Sequence, residues 1–212
     1  MPFEMVKSLR DMKVLGDSSP AILKRMRDRQ AVPYDSPEVC LEEATKLKDA
    51  GNVALKTDPR RAIDLYVDAF EKLHIICIGH RRSIWGDPWF DVPLRGGEFD
   101  GQHGQVVRLV LRVRLVANIV KAYLDLKEYG EAEFWGMRTI NLMREAVGDE
   151  DIAFMDFPAA NEMGKIYYRV GCAYKHMGDD SAARKMLRVA ADYLPNDPYV
   201  KRELASVALG LC

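Results

Sequence analysis

Five side chains that can donate hydrogen bonds to carboxylates occur at helical spacing. Lysine and arginine supply charge-assisted hydrogen bonds, and asparagine amides supply neutral ones that orient a ligand. Two pairs are four residues apart, so each pair lies on one face of a helix. The five residues are Lys48, Asn52, Asn118, Lys165 and Arg169. If the fold brings them together, they suit a ligand that carries carboxylates at its end.

Three windows of the chain repeat one pattern of small and large apolar residues. The first runs from Leu47 to Ala69, the second from Asn118 to Ala132, and the third from Lys165 to Pro195. This pattern resembles the tetratricopeptide repeat (TPR) family, whose repeats are helix hairpins of about 34 residues. We therefore expect an all-α solenoid of three stacked hairpins, because one such hairpin cannot bury its apolar face alone.

Small residues are expected where the two helices of a hairpin approach closely, with large residues between them. The small ones are Gly51, Gly171, Ala62 and Ala183, and the large ones are Tyr66, Tyr123, Tyr174 and Leu187. The second window fits least well, since Gly136 and Thr139 stand where the family has a large aromatic residue and an alanine.

Caps, prolines and glycines predict the domain organisation. Ser36-Pro37-Glu38 gives an N-cap, a proline at the first helical position and an acidic first turn. The second helix of this hairpin is expected to start near Pro59 and to continue through Cys77. A long loop between the first two repeats is predicted from its helix-breaking residues, which are Gly86, Gly96, Gly97, Gly101 and Gly104 with Pro88 and Pro93. The predicted units are an N-terminal extension at 1–35 and a TPR domain at 36–212, made of repeat 1 (about 37–78), a loop (79–105), repeat 2 (about 106–147), repeat 3 (about 158–194) and a capping helix (197–211).

Composition limits the class of partner and the compartment. The 212 residues include 31 basic and 32 acidic side chains, so a net charge of -1 gives no global attraction to nucleic acid or membrane. Four cysteines without paired spacing favour a reducing, cytoplasmic location. We expect neither a signal peptide nor a transmembrane helix.

The five donor residues resemble the dicarboxylate clamp of TPR co-chaperones. Their types match the family at Lys48 and Asn52, at Asn118, and at Lys165 and Arg169. The resemblance implies an adaptor that holds the C-terminal Glu-Glu-Val-Asp tail of cytosolic heat-shock chaperones of the ninety- or seventy-kilodalton class. In that family the clamp reads both carboxylates of the final aspartate.

In a stack of hairpins the first helices line a concave groove, and three neighbours of the five residues are predicted to line that groove as well. Arg114 and Lys121 share a helical face with Asn118, and Cys172 follows Arg169 by three residues. Clamp proteins commonly have a small residue where this chain has Lys121. Lys121 would either crowd a bound peptide or add a contact to an acidic side chain.

The remaining motifs point to alternatives. His74, Cys77 and His80 offer only three local metal ligands amid isoleucines, so we expect a packed helix and no metal or other cofactor. Trp85, Trp89 and Phe90 would either cover apolar surface or form a second protein interface. The second choice gives the competing hypothesis, a scaffold that binds through the 80–104 loop and the N-terminal extension. No arrangement of residues predicts an enzyme.

Overall fold

The protein is all-α, as predicted from the sequence. The structure is a computed structural model that describes residues 35–73, 88–147 and 152–208. No strand occurs among these residues, and the seven α-helices are α1 Pro37–Ala54, α2 Pro59–Lys72, α3 Gly104–Asp125, α4 Tyr129–Val147, α5 Ala160–His176, α6 Asp180–Tyr193 and α7 Pro198–Ala208. The predicted N-terminal extension lies outside the described residues, apart from Asp35, and so do His74, Cys77, His80 and Trp85.

Side-chain caps define where three of the helices begin. The Oγ atom of Ser36 accepts a hydrogen bond from the backbone N–H of Val39 at 3.4 Å, and Pro37 is the first residue of α1. Asp58 and Asp179 cap α2 and α6 in the same way, at 3.0 and 2.9 Å. These carboxylates satisfy N–H groups that have no partner within the helix. The predicted starts of α1 and α2 are therefore confirmed, whereas the predicted extension of α2 to Cys77 falls outside the described residues.

Consecutive helices pack as three hairpins that stack side by side. The pairs are α1 with α2, α3 with α4, and α5 with α6, and the first helices of the hairpins also contact one another. Helix α7 packs against α6 and α5. Lys175 of α5 fixes it by donating to Glu203 Oε2 at 3.0 Å and to Ser206 Oγ at 2.9 Å.

Glycines allow the helices of a hairpin to approach as the sequence predicted. A Cβ atom added to Gly51 would lie 2.7 Å from Cδ1 of Tyr66, and one added to Gly171 would lie 2.7 Å from Cγ of Leu187. Gly136 has a different role, because an added Cβ would overlap Cγ2 of Val170 in the next hairpin. The mismatch in the second window thus marks the place where α4 and α5 pack closely.

Helix α3 lies at the centre of the stack and contributes to two apolar cores. One of its faces packs with α1 and α2, and the other packs with α4 and α5. The first face carries Val107, Leu111, Leu115 and Ile119, and the second carries Leu109, Val113, Val116, Ala117 and Val120. Because α3 is anchored on two sides, the residues on its remaining face are held firmly relative to α1 and α5.

The described part of the loop before α3 is ordered by buried contacts. Helix α3 begins at Gly104, slightly earlier than the sequence predicted. Arg108 is 1% exposed, its Nε donates to the carbonyl oxygen of Leu73 at 2.7 Å, and its guanidinium lies 5.6 Å from the centre of the Phe90 ring. Arg108 therefore ties the end of α2 to the loop and to α3.

Candidate functional site

Two asparagines from the first and second hairpins meet directly. The Nδ2 atom of Asn118 donates to Oδ1 of Asn52 at 2.9 Å, and the hydroxyl of Tyr66 donates to the same oxygen at 3.0 Å. Since two donors hold that oxygen, the amide nitrogen of Asn52 is directed away from them. Its only nearby acceptor among the described residues is Oδ1 of Asp49, at the limiting distance of 3.5 Å. Asn52 therefore presents a donor with spare capacity.

Arg169 brings the third hairpin to the same place. Its Nη1 atom donates to the carbonyl oxygen of Ala117, the residue that precedes Asn118. Burial lowers the pKa of the Arg169 guanidinium, and the negative charge of Asp125 is the largest of the effects that oppose that lowering. An arginine nevertheless stays protonated at neutral pH. The result is a partly desolvated positive charge beside Asn118.

Lys48 and Lys165 lie one helical turn before Asn52 and Arg169, respectively. Lys48 has a mostly buried side chain, 15% exposed, and its ammonium lies 3.1 Å from the exposed carboxylate of Asp49. Lys165 is half-buried, and no hydrogen-bond or ion-pair partner for it exists within the described ranges. Residues four apart share a helical face, so Lys48 lies on the Asn52 face of α1 and Lys165 lies on the Arg169 face of α5. We call these five residues the donor cluster.

Charge pairing along the first helices leaves one region uncompensated. Lys48 pairs with Asp49, Arg114 with Glu162 at 3.0 Å, and Lys121 with Asp125 at 2.7 Å. In contrast, neither Lys165 nor Arg169 has a carboxylate within ion-pair distance in the part of the chain that the structure describes. Two cations four residues apart on α5 therefore form no ion pair with any described carboxylate. An anion that binds there would find the charge it needs without displacing an existing pair.

The three predicted groove neighbours have different environments. Arg114 is held by Glu162 on α5, and Lys121 is turned toward Asp125, one turn further along α3. Cys172 is half-buried, and burial raises the pKa of its thiol to about 11. A thiol with that pKa is almost entirely protonated at neutral pH, so Cys172 is a poor nucleophile.

Of the aromatic residues in the described part of the loop, Phe90 is buried and Trp89 is partly buried. Phe90 is fully buried beneath Arg108, and Trp89 is half-buried, with its Nε1 atom donating to the carbonyl oxygen of Asp35 at 3.1 Å. The prediction that Phe90 could belong to a second protein interface is therefore wrong, because the ring is buried in the apolar core that α1, α2 and α3 share. Phe90 therefore covers apolar surface, which is the other of the two roles predicted for this motif.

Tyr66 and Asp125 belong to the site although the sequence analysis did not assign them to it. Tyr66 was predicted only as packing, but its hydroxyl orients Asn52, and burial raises its pKa to about 12. A buried tyrosine needs a hydrogen-bond partner for its hydroxyl, and that rule is the signal that could have found it. Asp125 lies at the end of α3, where the repeat pattern gives no indication of its pairing with Lys121.

No protein-family model matches the chain, and no curated protein matches it. Its structure is similar to one described as the first TPR of Spaghetti (RPAP3) bound to the HSP90 peptide SRMEEVD. The two share 20% sequence identity over 80% of this chain and 94% of that chain, with a TM-score of 0.49. Similarity of this extent does not assign a ligand, which has to be inferred from the side chains themselves.

The described residues contain no group of three or more histidine, cysteine or acidic side chains arranged to hold a metal ion. None of the described helices combines the length and the apolar character that crossing a bilayer requires.

Proposed function

We propose that this chain is a peptide-binding adaptor that holds the acidic C-terminus of another protein. The donor cluster binds the terminal carboxylates, with Arg169 and Lys165 supplying charge and Asn52 and Asn118 supplying oriented amide donors. The observation that carries the proposal is the pair of cations on α5 that have no ion-pair partner among the described residues, next to two asparagines that hydrogen-bond to each other.

The geometry favours a C-terminal residue over a single internal carboxylate. Donors converge from three helices, and Arg169 has hydrogen-bond donors left after its bond to Ala117. A C-terminal aspartate offers two carboxylates on one residue. This matches the donor cluster, whose donors lie on both sides of the hydrogen bond between Asn52 and Asn118. By resemblance to the dicarboxylate-clamp co-chaperones, the proposed ligand is the Glu-Glu-Val-Asp tail of a cytosolic heat-shock chaperone of the ninety- or seventy-kilodalton class. That partner would place the protein in the cytoplasm.

The structure supports the scaffold hypothesis less well in its original form. Phe90 is enclosed, and Trp89 is held by the backbone at Asp35, so neither of these two residues offers an exposed anchor, while Trp85 and residues 1–34 lie outside the described residues. The donor cluster, in contrast, combines partly exposed donors with uncompensated charge.

Calorimetry with an acetylated peptide ending in Met-Glu-Glu-Val-Asp tests the proposal. Arg169→Ala should cost about 2–5 kcal/mol of binding free energy, because it removes a desolvated partner of a carboxylate. Lys165→Ala is a second test that should leave the fold intact, since no described residue pairs with Lys165. Arg188→Ala is the matched control, because Arg188 is an exposed arginine on α6.

Two ligand controls sharpen the result. A peptide amidated at its C-terminus should bind much more weakly, since it lacks the main-chain carboxylate. Affinity should also fall as salt is raised, because part of the attraction is screened. Equal affinity of the free-acid peptide for wild-type, Arg169→Ala and Lys165→Ala proteins, all shown to be folded by circular dichroism, would rule the proposal out.

A further inference from the structure

The ion pair between Lys121 and Asp125 lies beside the donor cluster and serves no helix-to-helix contact. Both residues belong to α3, and Lys121 Nζ lies 2.9 and 2.7 Å from the two carboxylate oxygens of Asp125. Both side chains are partly exposed, at 45% and 37%. An ion pair of this kind within one helix contributes only a few tenths of a kcal/mol to stability. Its partners can therefore separate at low cost.

Asp125 also stands close enough to influence Arg169. Burial lowers the pKa of Arg169, and Asp125 is the charged group that opposes this lowering most strongly. No hydrogen bond joins the two, since the bond of Arg169 within the described residues goes to the carbonyl of Ala117. The carboxylate of Asp125 thus lies near both Lys121 and Arg169, but it forms an ion pair only with Lys121.

The position of Asp125 disfavours its own negative charge. It is the last residue of α3, where the carbonyl groups of the final turn carry a partial negative charge. A carboxylate at that end of a helix gains nothing from the helix dipole, and Lys121 is its ion-pair partner among the described residues. Replacing it with a neutral amide should leave α3 intact.

We propose that Lys121 is a second anion-binding point that determines specificity, and that Asp125 occupies it until an acidic side chain of the ligand replaces Asp125. This inference rests on the proposed function, because it requires a peptide terminus in the donor cluster. Of the two roles that the sequence allows for Lys121, crowding the peptide or contacting an acidic side chain, the inference favours the contact. The lysine then selects peptides with an acidic residue shortly before the last one.

The spacing gives the position of that acidic residue. Lys121 follows Asn118 by three residues, which is about 4.5 Å along a helix. An extended peptide advances about 3.3 Å per residue. Because the lysine side chain is long and its ammonium can turn away from Asp125, it reaches a side chain one to three residues before the C-terminus. In Met-Glu-Glu-Val-Asp, the two glutamates stand two and three residues before the last.

A double-mutant cycle between protein and peptide tests this inference. The peptide ending in Met-Glu-Glu-Val-Asp is compared with one ending in Met-Ala-Ala-Val-Asp, using wild-type, Lys121→Met and Asp125→Asn proteins. Methionine keeps most of the length of the lysine but removes its charge. Lys46→Ala is the control, since Lys46 is an exposed lysine of α1 two residues before Lys48 and therefore on a different face.

Lys121 should make the wild-type protein bind the glutamate peptide about two- to fivefold more tightly than the alanine peptide. This is the range expected for a partly exposed ion pair. Lys121→Met should remove that part of the preference, and Asp125→Asn should increase affinity for the glutamate peptide. Lys46→Ala should leave the preference unchanged. An undiminished preference in Lys121→Met, or an equal gain of affinity for both peptides, would overturn the inference.

The same experiment separates this inference from the proposed function. If the wild-type protein binds the glutamate peptide and Arg169→Ala does not, the function stands whatever the result for Lys121. If the folded wild-type protein binds neither peptide, both ideas fail together.

Discussion

Asn118 donates its side-chain amide to Oδ1 of Asn52 across 2.9 Å, although 66 positions separate the two residues in the chain. This bond joins the first and second hairpins at the centre of the donor cluster. It also fixes which atoms face a ligand, because an asparagine oxygen that accepts two hydrogen bonds leaves its nitrogen free to donate. The contact is therefore both a link between repeats and part of the proposed binding surface.

Substituting Asn118 with a carboxylate should abolish the binding of acidic peptides. Asn118→Ala removes one neutral hydrogen bond and should cost about 1 kcal/mol of binding free energy. Asn118→Asp places a negative charge where the ligand carboxylate is expected and should cost several kcal/mol. Calorimetry on both variants measures the difference. An aspartate variant that binds as tightly as the alanine variant would show that no anion approaches Asn118.

Removing the Tyr66 hydroxyl should weaken peptide binding as well as folding. Tyr66→Phe keeps the buried ring but removes the donor to Asn52 Oδ1, so Asn52 loses part of its orientation. We expect a severalfold loss of peptide affinity and a fall in stability of about 0.5–1.5 kcal/mol, the net value of one hydrogen bond. Peptide titration and urea unfolding measure the two effects.

Tyr174→Phe is the matched control for Tyr66→Phe. Its hydroxyl donates to Glu133 Oε1 of α4 at 2.9 Å, away from the donor cluster. Stability should fall by a similar amount, with peptide affinity unchanged. If Tyr66→Phe also left peptide affinity unchanged, Tyr66 would be a packing residue alone.

Gly136 should tolerate no side chain, despite its position within a helix. Alanine normally stabilises a helix by about 1 kcal/mol relative to glycine. At Gly136, however, the new Cβ would overlap Val170 in the core, and overpacking costs about 1–3 kcal/mol or more. We therefore expect Gly136→Ala to lower the free energy of unfolding measured with urea.

Gly130→Ala provides the comparison for Gly136→Ala. An added Cβ at Gly130 would meet nothing within 4 Å, and the residue lies in the first turn of the same helix, α4. This variant should be neutral or more stable. Equal effects at the two positions would mean that α4 and α5 are not packed as described.

The sequence was sufficient to predict features that depend on nearby residues. Ser36 and Pro37 begin α1 because a cap and an N-terminal proline act within a single turn. The close approach at Gly51 follows from a repeat pattern that spans one hairpin. The all-α class and the helical spacing of the donor residues follow from the same short-range rules.

Features that depend on neighbouring hairpins were not predictable in this way. Gly136 was interpreted as a mismatch because Val170, which fills the space beside it, belongs to the next hairpin. The direction of Lys121 was ambiguous because a long side chain can reach either neighbour on its helical face. Burial of Phe90 depends on Arg108, whose position is set by α2 and α3 together.

Stability should decrease at alkaline pH, because several buried acids keep their protons longer in the folded state. Burial raises the pKa of Cys172 from 9.0 to about 11, and that of Tyr66 from 10.0 to about 12. Above the lower value of each pair, the unfolded chain ionises while the folded chain does not, so the free energy of unfolding falls as pH rises. The decline should begin near pH 9 and steepen above about pH 10, where tyrosines ionise. Urea unfolding at a series of pH values measures it, and Cys172→Ala should reduce the slope between about pH 9 and pH 11. Stability that remained constant or rose over this range would contradict the burial of both groups.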